Sequence, residues 1–249
     1  MTITVKEIRE LKEYLVADYH ANRLKEQNAD NAYIYDTFTV PLIKQKIESV
    51  RTGKGFRMTN APAEHIITSN PKVYRPSRRK ESTEKDKGIA VEQNRWAKIL
   101  LHQNPPPFKE FPKKLLGMGD CWLYILHNND FNPDDPNDMP VEINVLDPLV
   151  VFGDRGERNG IPPRIILYYD RDVKTLADMY PFWDKRNVGD GKKTPFMMYF
   201  DNEVRYFEAA NEPLLYEEDR GEFKIANGDG LQENIYGFVP YIHAFSGYG

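Results

Sequence analysis

The sequence predicts an α+β fold in which N-terminal amphipathic helices precede a mostly antiparallel, meandering sheet. Residues 5–28 repeat apolar side chains every three to four positions, as an amphipathic helix does. From residue 118 onwards, short apolar or alternating runs are separated by Pro, Gly, Asn and Asp, as strands joined by turns are. Helices followed by strands are typical of α+β proteins. We therefore divide the chain into a helical part, 1–117, and a sheet-rich part, 118–249, of the same domain.

The composition narrows the class of protein. The chain has 249 residues, of which 40% are hydrophobic, 12% aromatic and 29% charged, which is typical of a globular protein. The net charge of −4 provides no overall basic field for nucleic acid or anionic lipid. Cys121 is the single cysteine, which excludes an internal disulfide and a multi-cysteine zinc site. No run reaches the ~18 apolar residues of a membrane span, and the N-terminus lacks the apolar core of a secretory signal, so we expect synthesis in the cytoplasm.

The helical part begins with two predicted helices. A second, shorter helix is expected after Pro41, and it should end in "RTGKG", where Gly53 and Gly55 break it. Residues 56–76 then read as extended segments or a short helix. The first helix covers 5–28, and its predicted buried face consists of Val5, Ile8, Leu11, Leu15, Val16 and Tyr19.

Two further helices follow a basic loop. The stretch 72–87 holds seven basic and three acidic residues with almost nothing apolar after its tyrosine, which predicts a solvated loop. A third helix is predicted over 89–102 and ends at "NPPPF". A fourth, short helix is predicted over 108–117 and ends at a glycine.

The sheet-rich part contains seven predicted strands and one helix. The helix is expected over 172–180, between the fourth and fifth strands. In the last run, Phe238, Tyr241 and Phe245 are expected to be held by the preceding sheet. The seven runs are "DCWLYILHN", "PVEINVLD", "LVVFGD", "PRIILYYD", "TPFMMYFD", "EVRYFEA" and "FVPYIHAF".

The densest group of carboxylates is "DFNPDDPNDMPVE", residues 130–142. Its first alternate positions match a calcium-binding loop, but its sixth position is Asp135 instead of glycine and its twelfth is Val141. Three prolines also interrupt it. We interpret it as an acidic surface loop joining two strands. The alternative is a metal-dependent hydrolase or nuclease site built from Asp130, Asp134, Asp138 and Glu142.

The basic loop offers the one candidate contact to nucleic acid. Four cations could bind phosphates, although a solvated loop with nearby acids is the better explanation. Elsewhere no catalytic, cofactor or metal motif is present, and Cys121 lies in an apolar run, as a buried small residue does. We therefore assign no catalytic, cofactor or metal residue. The candidate phosphate contacts are Arg75, Arg78, Arg79 and Lys80.

Three stretches resemble the portal protein of tailed bacteriophages. They are "VPLIKQKIESVRTGKGFRMTNAPAEHIITSNPKVYRP", "NRWAKILLHQNPPPFKEFPKKLLGMGDCWLYILHN", and "VLDPLVVFGD" with the following "PRIILYYDRDVKTLADMYPFWDKRN". In that family a "DP" turn and a "YPxW" element lie in the sheet-bearing part of the subunit. The closing "NIYGFVPYIHAFSGYG" is similar to the family's strand that carries the chain onward.

The resemblance implies a structural subunit and not an enzyme. About twelve copies would form a ring at one capsid vertex, around a passage through which a terminase drives double-stranded DNA. The ring would also contact a head–tail adaptor and the capsid or scaffold protein. It would need no cofactor and would reside in the virion. Its contact with the passing DNA would be weak or non-specific, and it would not contact a membrane.

The chain departs from the family pattern in its length. Portals carry long stem helices, a tunnel loop and a helical crown, and none of these can be found before Gly249. We therefore expect the wing-like N-terminal part of a portal, from a truncated or split gene or a trimmed chain. Two alternatives stay open, which are the metal-dependent phage hydrolase or nuclease and a head-completion adaptor that binds another ring.

Overall fold

The computed structural model describes residues 3–35, 54–66, 84–103, 106–128, 131–180, 183, 192–214 and 230–245. The chain packs as two compact units. Unit 1 combines Met1–Glu26 with Asp147–His243, and unit 2 combines Gln27–Leu146 with Ala244–Gly249. Each unit contains both helices and antiparallel strands, so the predicted α+β class is confirmed.

The N-terminal helical region of unit 1 contains a π-helical segment. Helix α1, Val5–Glu13, begins with a capping box in which Thr4 and Glu7 satisfy each other's backbone amides. The π-helical segment covers Tyr14–Tyr19, and α2, Ala21–Ile34, follows it and continues past Glu26 into unit 2. The stretch predicted as a helix, 5–28, is therefore helical except at His20, and it has a widened turn in its middle.

An antiparallel sheet of six strands forms the body of unit 1. Its order is β3-β4-β5-β6-β7, and β8 pairs with the first residues of β6 on the edge that β7 also uses. Helix α6, Val173–Met179, follows β4 and begins at Asp172, whose side chain accepts the amide of Thr175. The strands are β3 Val151–Gly153, β4 Ile165–Asp172, β5 Lys193–Phe200, β6 Val204–Ala209, β7 Glu212–Pro213 and β8 Gln232–Glu233.

One face of this sheet packs against α1 and the π-helical segment. Ile8 and Leu15, one from each helical segment, are completely buried in the core. The strands contribute every second residue to it, because side chains of a strand alternate between faces. The opposite face carries contacts among aromatic rings, such as Phe200 with Phe207 and with Tyr241 at 5.6 Å. The sheet residues that pack against Ile8 and Leu15 in this core are Phe152, Ile166, Met197, Tyr199, Val204 and Tyr206.

Unit 2 packs helices with a two-strand ladder. Strand β1 pairs with β2 in antiparallel register from Trp122↔Leu146 to His127↔Val141. Helix α5 ends at Gly119, whose φ of 70° is the left-handed conformation that closes a helix and turns the chain into β1. The elements are α3 Lys54–Ile66, α4 Glu84–His102, α5 Pro107–Met118, β1 Asp120–His127 and β2 Val141–Leu146. The last strand of the chain, β9, covers Tyr241–Phe245 and belongs to unit 1 as far as His243.

Most predicted elements exist, but two predictions in unit 2 were wrong. Gly55 lies inside the first turn of α3 and does not break a helix. A Cβ on Gly55 would come within 2.6 Å of the carbonyl oxygen of Tyr33, so the glycine lets α3 approach the end of α2. Helix α4 begins at Glu84, inside the stretch predicted as a loop, 72–87. The helix predicted after Pro41 lies outside the described residues.

Candidate functional site

The predicted phosphate-binding cations lie outside the residues that the structure describes. The same holds for Asp130, one of the four carboxylates of the alternative metal site. The role of these residues therefore stays a prediction. The cations are Arg75, Arg78, Arg79 and Lys80.

The rest of the acidic loop is organised by its own hydrogen bonds. The carboxylate of Asp138 accepts the backbone amides of Asn132 at 2.7 Å and Met139 at 2.8 Å. It also accepts a side-chain N–H of Asn128 at 2.9 Å. These bonds, the one from Asn132 first, lower the pKa of Asp138. Arg95 also donates to the backbone carbonyl of Asp138 at 3.1 Å. The Asp138 carboxylate therefore holds the loop in shape through the three hydrogen bonds that it accepts.

A metal site, a reactive cysteine and a small-molecule pocket have little support in the described part of the chain. No group of three or more His, Cys, Asp and Glu side chains converges there. Cys121 is completely buried in β1, as its apolar surroundings in the sequence predict. A cleft of about 190 Å³ beside α3 and α5 is smaller than the ~300 Å³ of ordinary small-molecule sites.

The π-helical segment of unit 1 creates an exposed aromatic surface. The amide of His20 donates to the carbonyl of Leu15 at 3.0 Å, which closes the five-residue turn. Leu15 points into the core, while Tyr14 and Tyr19 stay 37% and 40% exposed. Their rings stack with centroids 6.1 Å apart and planes 15° from parallel. Tyr19, predicted on the buried face, is therefore carried to the surface by the wider turn.

Arg155 lies across these two rings. Its guanidinium carbon is 4.7 Å from the ring centroid of Tyr19 and 5.9 Å from that of Tyr14. Arg155 is exposed, and within the described residues its guanidinium makes no hydrogen bond. An arginine supported on aromatic faces keeps its planar N–H groups ready for a carboxylate or phosphate. We name Tyr14, Tyr19 and Arg155 the cationic patch.

A polar network fixes the cationic patch to the edge strand β3. The Nε2 of His20 lies 2.8 Å from the carbonyl oxygen of Gly153, and Arg23 donates to the Nδ1 of His20 at 3.1 Å. With Nδ1 as the acceptor, Nε2–H donates a hydrogen bond to the carbonyl of Gly153. Arg23 also donates to the carbonyl of Val151 at 2.7 Å, next to the end of β3.

The loop between β3 and β4 holds Arg155 in place. Asp154 before it forms an ion pair with Arg164 at the far end of the loop. Gly160 has a φ of 78° and accepts the amide of His243 at 2.6 Å. A carboxylate oxygen of Glu157 lies 2.7 Å from Nδ1 of His243. The loop is thus tied at both ends and in its middle.

A second exposed surface follows β8 at the other edge of the same sheet. Ile235 and Phe238 are 57% and 50% exposed. Glu203 and Glu233 beside them are exposed, and neither forms an ion pair with a described residue. We name these four residues the acidic patch. The prediction that the sheet holds Phe238 was wrong, and Phe245 is also largely exposed, whereas Tyr241 is fully buried as expected.

Buried Asn234 builds the acidic patch. Its backbone amide donates to the carbonyl of Glu203 at 2.8 Å, which joins the two chain segments that carry the glutamates. Its side-chain N–H groups reach the carbonyls of Asp201 at 2.6 Å and Phe238 at 2.8 Å. Asn234 is only 4% exposed, and its hydrogen bonds fix the turn from which the side chains of Ile235 and Phe238 project into solvent.

The two patches lie at the same end of the sheet and at opposite edges. One row of register partners crosses the sheet from β3 to β8, which is four strand spacings or about 19 Å. Arg155 follows the first member of this row by two residues, and Glu233 follows the last by one. The row consists of Gly153, Ile165, Phe200, Arg205 and Gln232.

The buried ionisable groups of unit 1 stabilise the core. Glu208, almost completely buried, accepts two N–H groups of Arg9 at 2.9 and 2.8 Å and the hydroxyl of Tyr206 at 3.0 Å. Burial raises the pKa of Tyr206, and the neighbouring Glu208 adds to the rise. Burial likewise raises the pKa of Tyr199, whose hydroxyl donates to Asp201. These tyrosines therefore stay protonated.

Comparison with known proteins adds no relative. No model of a known protein family matches the chain, and no curated protein is significantly similar to it. Within the part of the chain that the structure describes, none of the helices has the length and hydropathy needed to cross a bilayer.

Proposed function

We propose that this chain is a structural subunit of a portal ring at a capsid vertex of a tailed bacteriophage. The ring forms the passage for double-stranded DNA during packaging and ejection, and it docks the terminase and the head–tail connector. The three stretches that resemble portal proteins support this, and so does the α+β architecture. Its place is the virion, and the chain acts by assembly and not by catalysis.

The observation that carries the proposal is the pair of unlike patches on one sheet. A closed ring of identical subunits needs two different surfaces that fit each other, because each copy contacts one neighbour with each surface. The cationic patch and the acidic patch differ in charge and lie at opposite edges of the unit 1 sheet. Exposed tyrosines and a stacked arginine are also the side chains enriched in interfaces between proteins.

The remaining contacts of the proposed subunit follow from its role. They are the terminase, the head–tail adaptor, and the capsid or scaffold protein. Double-stranded DNA passes through the ring, and tight binding would slow it, because each strong phosphate contact must be broken at every step. The net charge of −4 agrees with weak contact to the passing DNA.

Native mass spectrometry and negative-stain electron microscopy of the purified chain test the proposal. The concentration should run from about 1 to about 100 µM, because lateral contacts of ordinary size bind in this range or more tightly. We expect closed rings of about twelve copies. A chain that stays monomeric over the whole range would contradict the proposal.

A further inference from the structure

We propose that the cationic patch of one copy binds the acidic patch of the next copy. This inference rests on the proposed ring assembly and names the residues that make its lateral contact. Arg155 would lie between Glu203 and Glu233 of the neighbour, and the two tyrosines would cover Ile235 and Phe238.

The charges of the two patches are complementary. In unit 1 the guanidinium of Arg155 is supported by two aromatic rings, but its N–H groups have no acceptor among the described residues. Glu203 and Glu233 lie on neighbouring segments of the backbone, since Glu233 precedes the residue whose amide Glu203 accepts, and neither pairs with a described cation. A guanidinium has five donors and can bind more than one carboxylate.

The apolar halves are complementary as well. Tyr14 and Tyr19 expose ring surface around Arg155, and Ile235 and Phe238 project from a turn held by buried Asn234. Contact would remove all four side chains from water together with the charges. Ion pairs gain strength when apolar neighbours exclude water from them.

The positions of the patches require a second copy. They lie about 19 Å apart at opposite edges of one sheet, so Arg155 cannot reach the two glutamates of its own chain. A contact between unlike surfaces leaves one free patch on each outer copy, so further copies add head to tail. Such a chain of contacts can close into a ring.

A protein partner suits the cationic patch better than nucleic acid does. A phosphate would also pair with Arg155, but the exposed glutamates at the same end of the sheet would repel a DNA strand. The second copy supplies carboxylates and apolar surface together, and DNA supplies neither. Binding of duplex DNA is therefore an outcome that the experiment has to distinguish.

Charge reversal and mixing test the contact. R155E and the double variant E203R/E233R should each weaken self-association at least about tenfold in sedimentation or native mass spectrometry. Mixing the two variants should restore association, because the unchanged patch of one variant meets the unchanged patch of the other and the two substituted patches also carry opposite charges. The triple variant R155E/E203R/E233R should assemble again, because both signs are exchanged.

R158E is the matched control. Arg158 is exposed in the same loop and the substitution changes the charge equally, but Arg158 touches neither tyrosine ring in the described contacts. We expect a change of less than about threefold for R158E. Circular dichroism spectra of all variants should match the wild type, and so should thermal midpoints measured at a concentration at which the wild type is monomeric, since every substituted side chain is exposed.

The outcomes separate this inference from the ring proposal. A wild-type chain that never self-associates contradicts both. Wild-type rings that R155E and E203R/E233R leave intact contradict the inference alone. A variant R155E that assembles normally but loses binding to a labelled DNA duplex would assign the cationic patch to phosphate, and equal loss with R158E would reduce its role to general charge.

Discussion

Replacing Gly55 and Gly88 by alanine separates helix propensity from close packing. Both glycines lie in helices, Gly55 in α3 and Gly88 in α4. Alanine favours a helix over glycine by about 0.5–1 kcal/mol, because glycine loses more backbone freedom on folding. The space around the two positions differs. A Cβ on Gly88 meets nothing within 4 Å, whereas one on Gly55 meets the carbonyl oxygen of Tyr33 at 2.6 Å and the Cα of Ile34 at 3.0 Å.

The expected changes in the free energy of unfolding therefore have opposite signs. Gly88→Ala should stabilise unit 2 by about 0.5–1 kcal/mol. At Gly55 the obstructing atoms belong to the backbone and cannot rotate away, so α3 must shift. Overpacking of this kind costs about 1–3 kcal/mol, which exceeds the gain in propensity. Gly55→Ala should thus destabilise by about 1–2 kcal/mol.

Urea unfolding followed by circular dichroism at 222 nm measures both variants. With a slope of about 2 kcal/mol per molar urea, the midpoint should fall by about 0.5–1 M for Gly55→Ala. It should rise by about 0.3–0.5 M for Gly88→Ala. All samples need the same protein concentration, because self-association adds to apparent stability. A Gly55→Ala chain as stable as the wild type would refute the close approach of α3 to α2.

Two further substitutions test the hydrogen-bond networks. Arg9→Met leaves the buried carboxylate of Glu208 without its cation and should cost about 2 kcal/mol, less than a fully buried pair because the Arg9 side chain is 40% exposed. The control Lys6→Met removes an exposed pair and should change stability by less than about 0.5 kcal/mol in the same urea titration. Asp138 has a lowered pKa, so its stabilising effect is complete above the ordinary carboxyl pKa and is lost as the pH falls through the lowered value. Asp138→Asn should flatten this acid-side fall below about pH 4, measured by unfolding at each pH, and an unchanged pH dependence would contradict the role of Asp138.

The local sequence pattern predicted helices and strands where neighbouring residues decide the backbone conformation. Helix α6 was expected over 172–180 and covers Val173–Met179, because a capping aspartate and apolar spacing act within one turn. The long strands β1, β4, β5 and β6 follow the runs of the sequence for the same reason. Gly55 was misread because a glycine needed for close approach looks identical, in sequence, to one that ends a helix.

The candidate surfaces could not be predicted in this way. Tyr14 and Tyr19 are five residues apart, which is one π-helical turn, and this spacing was the only local signal for their stacking. Arg155 joins them from a loop more than 130 positions away in the chain. Phe238 stands in a strand-like run, but its exposure depends on the hydrogen bonds that Asn234 donates to the carbonyls of Asp201, Glu203 and Phe238.

The sequence by itself determined the α+β class, most helices and strands, and the burial of residues such as Cys121 and Tyr241. These properties follow from periodicity and turn residues, which act over a few neighbouring positions. Only the tertiary structure decided which exposed side chains meet. Strand pairing places residues that are distant in the chain at chosen edges of one sheet, and that placement put a stacked arginine at one edge and two exposed glutamates at the other.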